Sequence, residues 1–233
     1  MLLRESLDLG LITYRVLATG TAQGFTQFVP SQSLAAVLSD HNNSIAQYLR
    51  QISTSDTSFA ELMENYVKSC AGYCVITYIL AVGDRHLDNL LLTRAGKLFH
   101  VDYGYILGND PKPFPPPMKL CKEMAEAMMI DPSLVWYRKF RSASFMAYSI
   151  LRKVDNFNLI YNLFRLMSTA SSGLPDLTAE PDRALKVIED RYRLDLTDDL
   201  AVQYLQSVIS DSINALFPQV IETIHKWAQY WRS

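Results

Sequence analysis

Three cysteines among 233 residues are too few for a disulfide-built fold. Cys70 and Cys74 lie four apart on one helix face, and no second pair completes a zinc site, so buried thiols in a reducing compartment are expected. Neither sign of charge is in excess: 22 Lys and Arg against 24 Asp and Glu leave a net charge of −2. A nucleic-acid partner, which calls for a basic surface, is therefore not expected. The longest largely apolar run, Tyr73–Val82, is about half a bilayer span and is interrupted by Thr77. Charged Arg4, Glu5 and Asp8 directly after Met1-Leu2-Leu3 argue against a signal peptide. A soluble, cytoplasmic chain is the expectation. There is no internal repeat, no Gly-x-Gly-x-x-Gly, and no lysine before Lys68.

The composition, 49% hydrophobic and 20% charged, is that of a globular domain or large lobe. Residues 1–9 read as the end of a helix. Ile12–Ala18 and Gly24–Val29 are rich in β-branched and aromatic residues and predict a hairpin, stopped by Pro30. Short helices are expected around Leu34–Leu38 and over Ile45–Ile52, the second capped by Ser44. The capping box Ser58-x-x-Glu61 opens the longest helix, with Leu62, Met63, Tyr66, Val67, Cys70, Ala71, Cys74 and Tyr78 at helical spacing. Leu90–Thr93 and Lys97–Val101 flank the turn Arg94-Ala95-Gly96 and predict a second hairpin. Five prolines between 111 and 117 exclude helix or central strand there. Helices follow over Leu134–Arg152, Asn158–Met167, Pro181–Tyr192 and Asp198–Leu216, with a polar linker Ser168–Glu180. The fold class is α+β, mostly α.

The stretch Gly83–Gly104, GDRHLDNLLLTRAGKLFHVDYG, holds the residues suited to chemistry. Phosphoryl transfer needs a group to orient or deprotonate the acceptor, oxygen ligands for Mg²⁺, and a rigid mount. In the protein-kinase pattern the catalytic Asp precedes a metal-binding Asn by five residues, and a D-F-G Asp holds metal further on. Asp84 and Asn89 have that spacing, and Asp102-Tyr103-Gly104 stands where D-F-G would. Asp84 is the base or acceptor-orienting group; Asn89 and Asp102 are candidate ligands for a hard cation. The triplet Asp84-Arg85-His86 reverses the order His-Arg-Asp. An imidazole titrates near neutrality, so His86 can share the base role, and that division stays open. Arg85, grouped with the catalytic triplet, suits bracing the loop or pairing with an acid. Asp88 and His100 are read as structural, and Tyr103, in place of Phe, needs a partner for its hydroxyl.

D-R-H-x-x-N followed by a D-F-G-like triplet resembles the phosphatidylinositol 3-/4-kinase superfamily, which also holds large Ser/Thr kinases. SCAGYCVITYILAVGDRHLDNLLL, GKLFHVDYGYILG, DPKPFPPPMKL and the terminal IHKWAQYW look like the class III, vacuolar-protein-sorting type of phosphatidylinositol 3-kinase. The resemblance spans essentially the whole chain. It implies a kinase C-lobe with a remnant N-lobe hairpin: residues 1–30 as remnant and hinge, and 31–233 as the large lobe. Within that lobe it implies a catalytic loop over 83–92, an activation loop over 102–122 and an amphipathic helix over 218–232. It implies ATP and Mg²⁺ or Mn²⁺ as cofactors, with adenine meeting Phe28 and Val29 at the hinge and Leu91 and Val101 below; the plain alternative for Phe28-Val29 is a hairpin edge. The implied acceptor is the 3-hydroxyl of phosphatidylinositol on endosomal and autophagic membranes. The implied partners are a pseudokinase-type regulatory subunit and a beclin-type subunit. The Gly-rich loop and phosphate-binding Lys of such kinases are missing, so the chain reads as a C-terminal fragment that alone binds ATP poorly.

The activation loop offers Lys112, Lys119 and Lys122 for a head group, scattered beside Asp110 and Glu123. Polyphosphorylated lipids would call for a run of cations, so phosphatidylinositol itself is the expected acceptor. Trp227 and Trp231, on an apolar stripe with Lys226 and Arg232, suit either a membrane surface or packing on the core. The other readings are a related Ser/Thr protein kinase, a phosphatidylinositol 4-kinase, or a non-catalytic module binding membranes or regulators.

Overall fold

A computed structural model describes residues 1–21, 23–111, 116–169 and 175–216. Its element order is β1 (Val16–Ala18), β2 (Gly24–Thr26), β3 (Gln32–Ser33), α1 (Leu34–Asp40), α2 (Ile45–Ile52), α3 (Phe59–Ile79), β4 (Leu90–Leu92), β5 (Leu98–His100), α4 (Lys122–Met128), α5 (Val135–Arg152), α6 (Val154–Thr169), α7 (Pro175–Ala179), α8 (Pro181–Tyr192) and α9 (Asp198–Leu216). The described residues are mostly helical, with two small antiparallel sheets among them.

α3 forms the axis of the core. Its N-terminus is closed as the sequence predicts, with Ser58 Oγ accepting from Glu61 N–H at 3.2 Å. Leu62, Met63, Tyr66, Val67, Cys70, Ala71, Cys74, Val75 and Tyr78 are all buried. The N-terminal half keeps Glu61, Glu64 and Lys68 toward solvent, while every residue from Ser69 to Val75 is buried, so the C-terminal half is enclosed on all sides. Its buried hydroxyls bond back to the preceding turn, Thr77 Oγ1 to Tyr73 O at 2.8 Å and Ser69 Oγ to Asn65 O at 2.7 Å. Burial pushes the thiol of Cys74 up to about 12 and raises that of Cys70 as well, so both are inert packing groups. α5 packs along α3, β5, α2 and α8 lie against its other faces, and α9 packs on α5 and α4.

Three details differ from the sequence expectation. Residues 1–9 carry only a single 3-10 turn, Leu2–Glu5; beyond it Leu9 is buried and Gly10 takes a left-handed φ of 61°. That segment runs along α3, where Tyr73 OH donates to Ile12 O at 2.7 Å, so tertiary contact overrides a helical start. The linker Ser168–Glu180 contains the short helix α7, fastened by the fully buried Leu177. β3 was not expected at all. It is two residues long, and it pairs with β4 through Gln32↔Leu92 and Ser33↔Leu91.

The β4–β5 hairpin, with Leu90↔His100, Leu91↔Phe99 and Leu92↔Leu98 opposite, is fixed to α3 through its strand β5 and its turn, where Asn65 Nδ2 donates to Ala95 O at 2.9 Å. Leu98 N–H donates to the Ser69 hydroxyl at 2.9 Å, and Gly96 at the turn lies against the α3 backbone. Gly96 has φ +76°, and a Cβ there would stand 2.5 Å from Leu62 O. Gly96→Ala is therefore expected to destabilise the fold by about 2–3 kcal/mol, from left-handed strain plus overpacking. Thermal unfolding checks this; an unchanged midpoint would show the turn to be freely adjustable.

Candidate active site

The chain leaves α3 through Ala81, with φ 44°, and reaches Asp84, with φ 48°. Two non-glycine residues in the left-handed region within four positions mark a backbone held by its surroundings. Gly83 is required for closeness: its Cβ would lie 2.3 Å from Asn109 O. A third held residue, Asp102 with φ 58°, follows β5, and its Oδ1 accepts from Gly104 N–H at 3.1 Å.

Arg85 joins these two turns. Its Nε donates to Gly83 O at 2.8 Å, one terminal nitrogen donates to Val101 O at 2.7 Å, and the other bonds Asp102 O. The guanidinium stands 5.5 Å from the Tyr103 ring centroid. Burial lowers its pKa, while Tyr103, Asp102 and Asp84 pull it back up. Arg85 is thus half-buried within the charge field of both carboxylates, and the Asp84 turn and the Asp102 turn share one side of the molecule.

Asn89 adds the second link. It is buried, its Nδ2 donates to Asp84 O at 2.9 Å, and its own carbonyl accepts from Val101 N–H at 3.0 Å. With Nδ2 so engaged, Oδ1 is the atom left for a cation. His86 lies farther out, with a side chain 46% exposed against 27% for Asp84. Its Nε2 is 4.0 Å from Asp84 Oδ2, and its Nδ1 is 3.7 Å from Asp88 Oδ2. His100 is buried and stacked on Tyr73, with ring centroids 4.9 Å apart. Burial, with Arg85 nearby, brings its pKa down to about 3 and keeps it neutral. Tyr103 OH donates to His100 O at 3.4 Å, which supplies the partner its hydroxyl needed; burial first, then Tyr14, pushes that phenol up to about 12.

Of the remaining candidates, Leu91 is half-buried in β4 and Val101 half-buried after β5. Phe28 is 81% exposed and Val29 half-buried just before β3. β3, which begins three residues after Val29, pairs with β4 and sets Ser33 opposite Leu91. The sequence reading missed this link, for a two-residue strand has no periodicity to detect. Lys119 is buried against Asp110, and Lys122 pairs with Glu126 on the surface. Lys112, Trp227 and Trp231 lie outside the described residues. Among the described residues no three His, Cys, Asp or Glu side chains converge as a metal cluster, and no helix is long and apolar enough to cross a membrane.

Residues 1–179 match the family described as phosphatidylinositol 3- and 4-kinase. The chain belongs to that family. Among curated relatives of this kinase family, "Phosphatidylinositol 3-kinase, root isoform" of Glycine max is 53% identical over 98% of the chain and 28% of its own length. Phosphatidylinositol 3-kinase VPS34 of Arabidopsis thaliana is 52% identical over 98% of the chain and 28% of its own length. The Saccharomyces cerevisiae VPS34 is 48% identical over the whole chain and 26% of its own length. The chain thus spans little more than a quarter of these phosphatidylinositol 3-kinases.

Proposed function

We propose that the chain is the catalytic C-lobe of a class III-type phosphatidylinositol 3-kinase, with residues 1–30 as a remnant N-lobe hairpin and hinge. The observation that carries this reading is the Arg85 bridge, which fastens the turn bearing Asp84 to the turn bearing Asp102. Phosphoryl transfer is mostly positioning and charge stabilisation, and such a fastening serves both. The relatives' names support the lipid acceptor.

In this reading Asn89 Oδ1 and the Asp102 carboxylate hold Mg²⁺ or Mn²⁺. The donor set fits: two protein oxygens, each oriented by a backbone hydrogen bond, suit a cation that takes its other ligands from phosphates and water. When bound, the ion neutralises charge on the phosphate oxygens. Val29, Phe28, Leu91 and Val101 form the adenine side. Asp84 orients the acceptor's 3-hydroxyl, and the more exposed His86 receives its proton at Nε2, passing near Asp84 Oδ2. Lys112 and Lys122 are assigned to the head group. Trp227 and Trp231 contact the bilayer. A pseudokinase-type regulatory subunit and a beclin-type subunit, on endosomal or autophagic membranes, complete the assignment.

The test uses the full-length protein on mixed vesicles containing phosphatidylinositol and its mono- and bisphosphorylated forms, with a peptide acceptor in parallel. Phosphatidylinositol 3-phosphate is the expected main product. Preference for a bisphosphorylated lipid, for the peptide, or for another hydroxyl would overturn the assignment.

A further inference from the structure

The segment after Asp102-Tyr103-Gly104 is laid against the Asp84 turn by a ladder of backbone bonds. Leu107 N–H donates to Leu80 O at 2.9 Å, Gly108 N–H to Ala81 O at 3.1 Å, and Gly83 N–H to Tyr105 O at 2.8 Å. The next step of the ladder is a side chain. Asp110 Oδ2 accepts from the backbone N–H of Asp84 at 3.3 Å and from Lys119 Nζ at 2.9 Å. One oxygen thus ties the catalytic turn to both ends of the Pro-rich stretch. The side chains of Asp110 and Lys119 are only 6% and 10% exposed. A cavity of about 180 Å³ lies beside them, walled by Arg85, Leu90, Met118 and Leu120.

A buried ion pair is a poor source of stability, because desolvation offsets most of its attraction; what it does well is select one arrangement. Here the arrangement selected contains Asp84 in a left-handed backbone, a conformation that reverts unless its peptide is held. We infer that Asp110 is a positioning residue for Asp84. Its carboxylate, fixed by Lys119, holds the Asp84 peptide and so sets where the Asp84 side chain meets the acceptor. Lys119 serves that carboxylate and not the lipid head group. The inference rests on the proposed function only in that Asp84 faces the acceptor hydroxyl.

The test compares Asp110→Ala, Asp110→Asn, Lys119→Met and the Asp110→Ala/Lys119→Met double variant in the full-length protein. For Asp110→Ala, kcat should fall about 10- to 100-fold, the scale of a displacement near 1 Å, with the KM for ATP within about twofold of wild type. Asp110→Asn, which keeps an acceptor for the Asp84 N–H, should recover a large part of that loss. The double variant should be no slower than Asp110→Ala, because Lys119 acts through Asp110. Hydrogen exchange supplies a readout independent of any acceptor: amides over 83–86 should exchange faster in Asp110→Ala, with α3 unchanged. Should Asp110→Ala fail to fold, Asp110→Asn and Lys119→Met carry the same comparison. Wild-type kcat with unchanged exchange over 83–86 would overturn the inference, as would a loss confined to the KM for lipid. If the wild-type protein phosphorylates some other acceptor, the proposed function fails while the exchange result still decides this one.

Discussion

Asp102→Asn is expected to lower kcat of the full-length kinase by about a thousandfold, the upper range for loss of one preorganised charge-stabilising group. The change is nearly isosteric, and the amide oxygen can still accept the Gly104 N–H that Asp102 Oδ1 accepts now. The fold and the Arg85 bridge, which uses the backbone oxygen of Asp102, should therefore persist. What disappears is the negative charge that, in the proposed function, would hold the nucleotide's cation. Steady-state kinetics over a Mg²⁺ titration, with the unfolding midpoint measured in parallel, separates the two effects. Activity within tenfold of wild type at an unchanged midpoint would remove Asp102 from the metal site.

Arg85→Ala should be nearly as damaging by a different route. The guanidinium bonds the backbone oxygens of Gly83, Val101 and Asp102, and no one-point cation can span all three. Without it the two turns lose their fastening, and a separation near 1 Å costs about a hundredfold in rate. At least one half-buried carbonyl also loses its partner, which costs about 1–3 kcal/mol of stability. Asp102 shifts along with Asp84, so the KM for ATP should rise as kcat falls, unlike the pattern expected for Asp110→Ala. Arg85→Lys should not rescue either parameter. Rescue by lysine would mean that a charge, and not a planar fork, is what the site requires.

How far the residues announced this architecture depends on the range of the interaction. Ser58 and Glu61 announced the start of α3, and Ser44 that of α2, because a cap is settled within three residues. The closeness of Asp84, Asn89 and Asp102 was legible because the loop and hairpin between them are short, so spacing along the chain constrains spacing in space. β3 was not legible, since two residues acquire strand geometry only from the strand they join. Lys119 was read as a loop cation available to a head group; the fold turns it inward onto Asp110, nine positions away. The core axis α3 was foreseen, yet the full enclosure of its C-terminal half was not, because that follows from how α5, β5 and α8 pack against it.

By itself the sequence determined the helical majority, the caps, the hairpin turn at Gly96 and the chemical identity of the oxygen-bearing groups, all set by neighbours a few residues apart. Tertiary structure alone decided that Arg85 spans two turns, that Ser33 pairs with Leu91 in one sheet, and that one Asp110 oxygen anchors the Asp84 peptide. Each of these needs groups far apart in the chain to desolvate together, and the free energy of that event depends on the packed whole rather than on any local window.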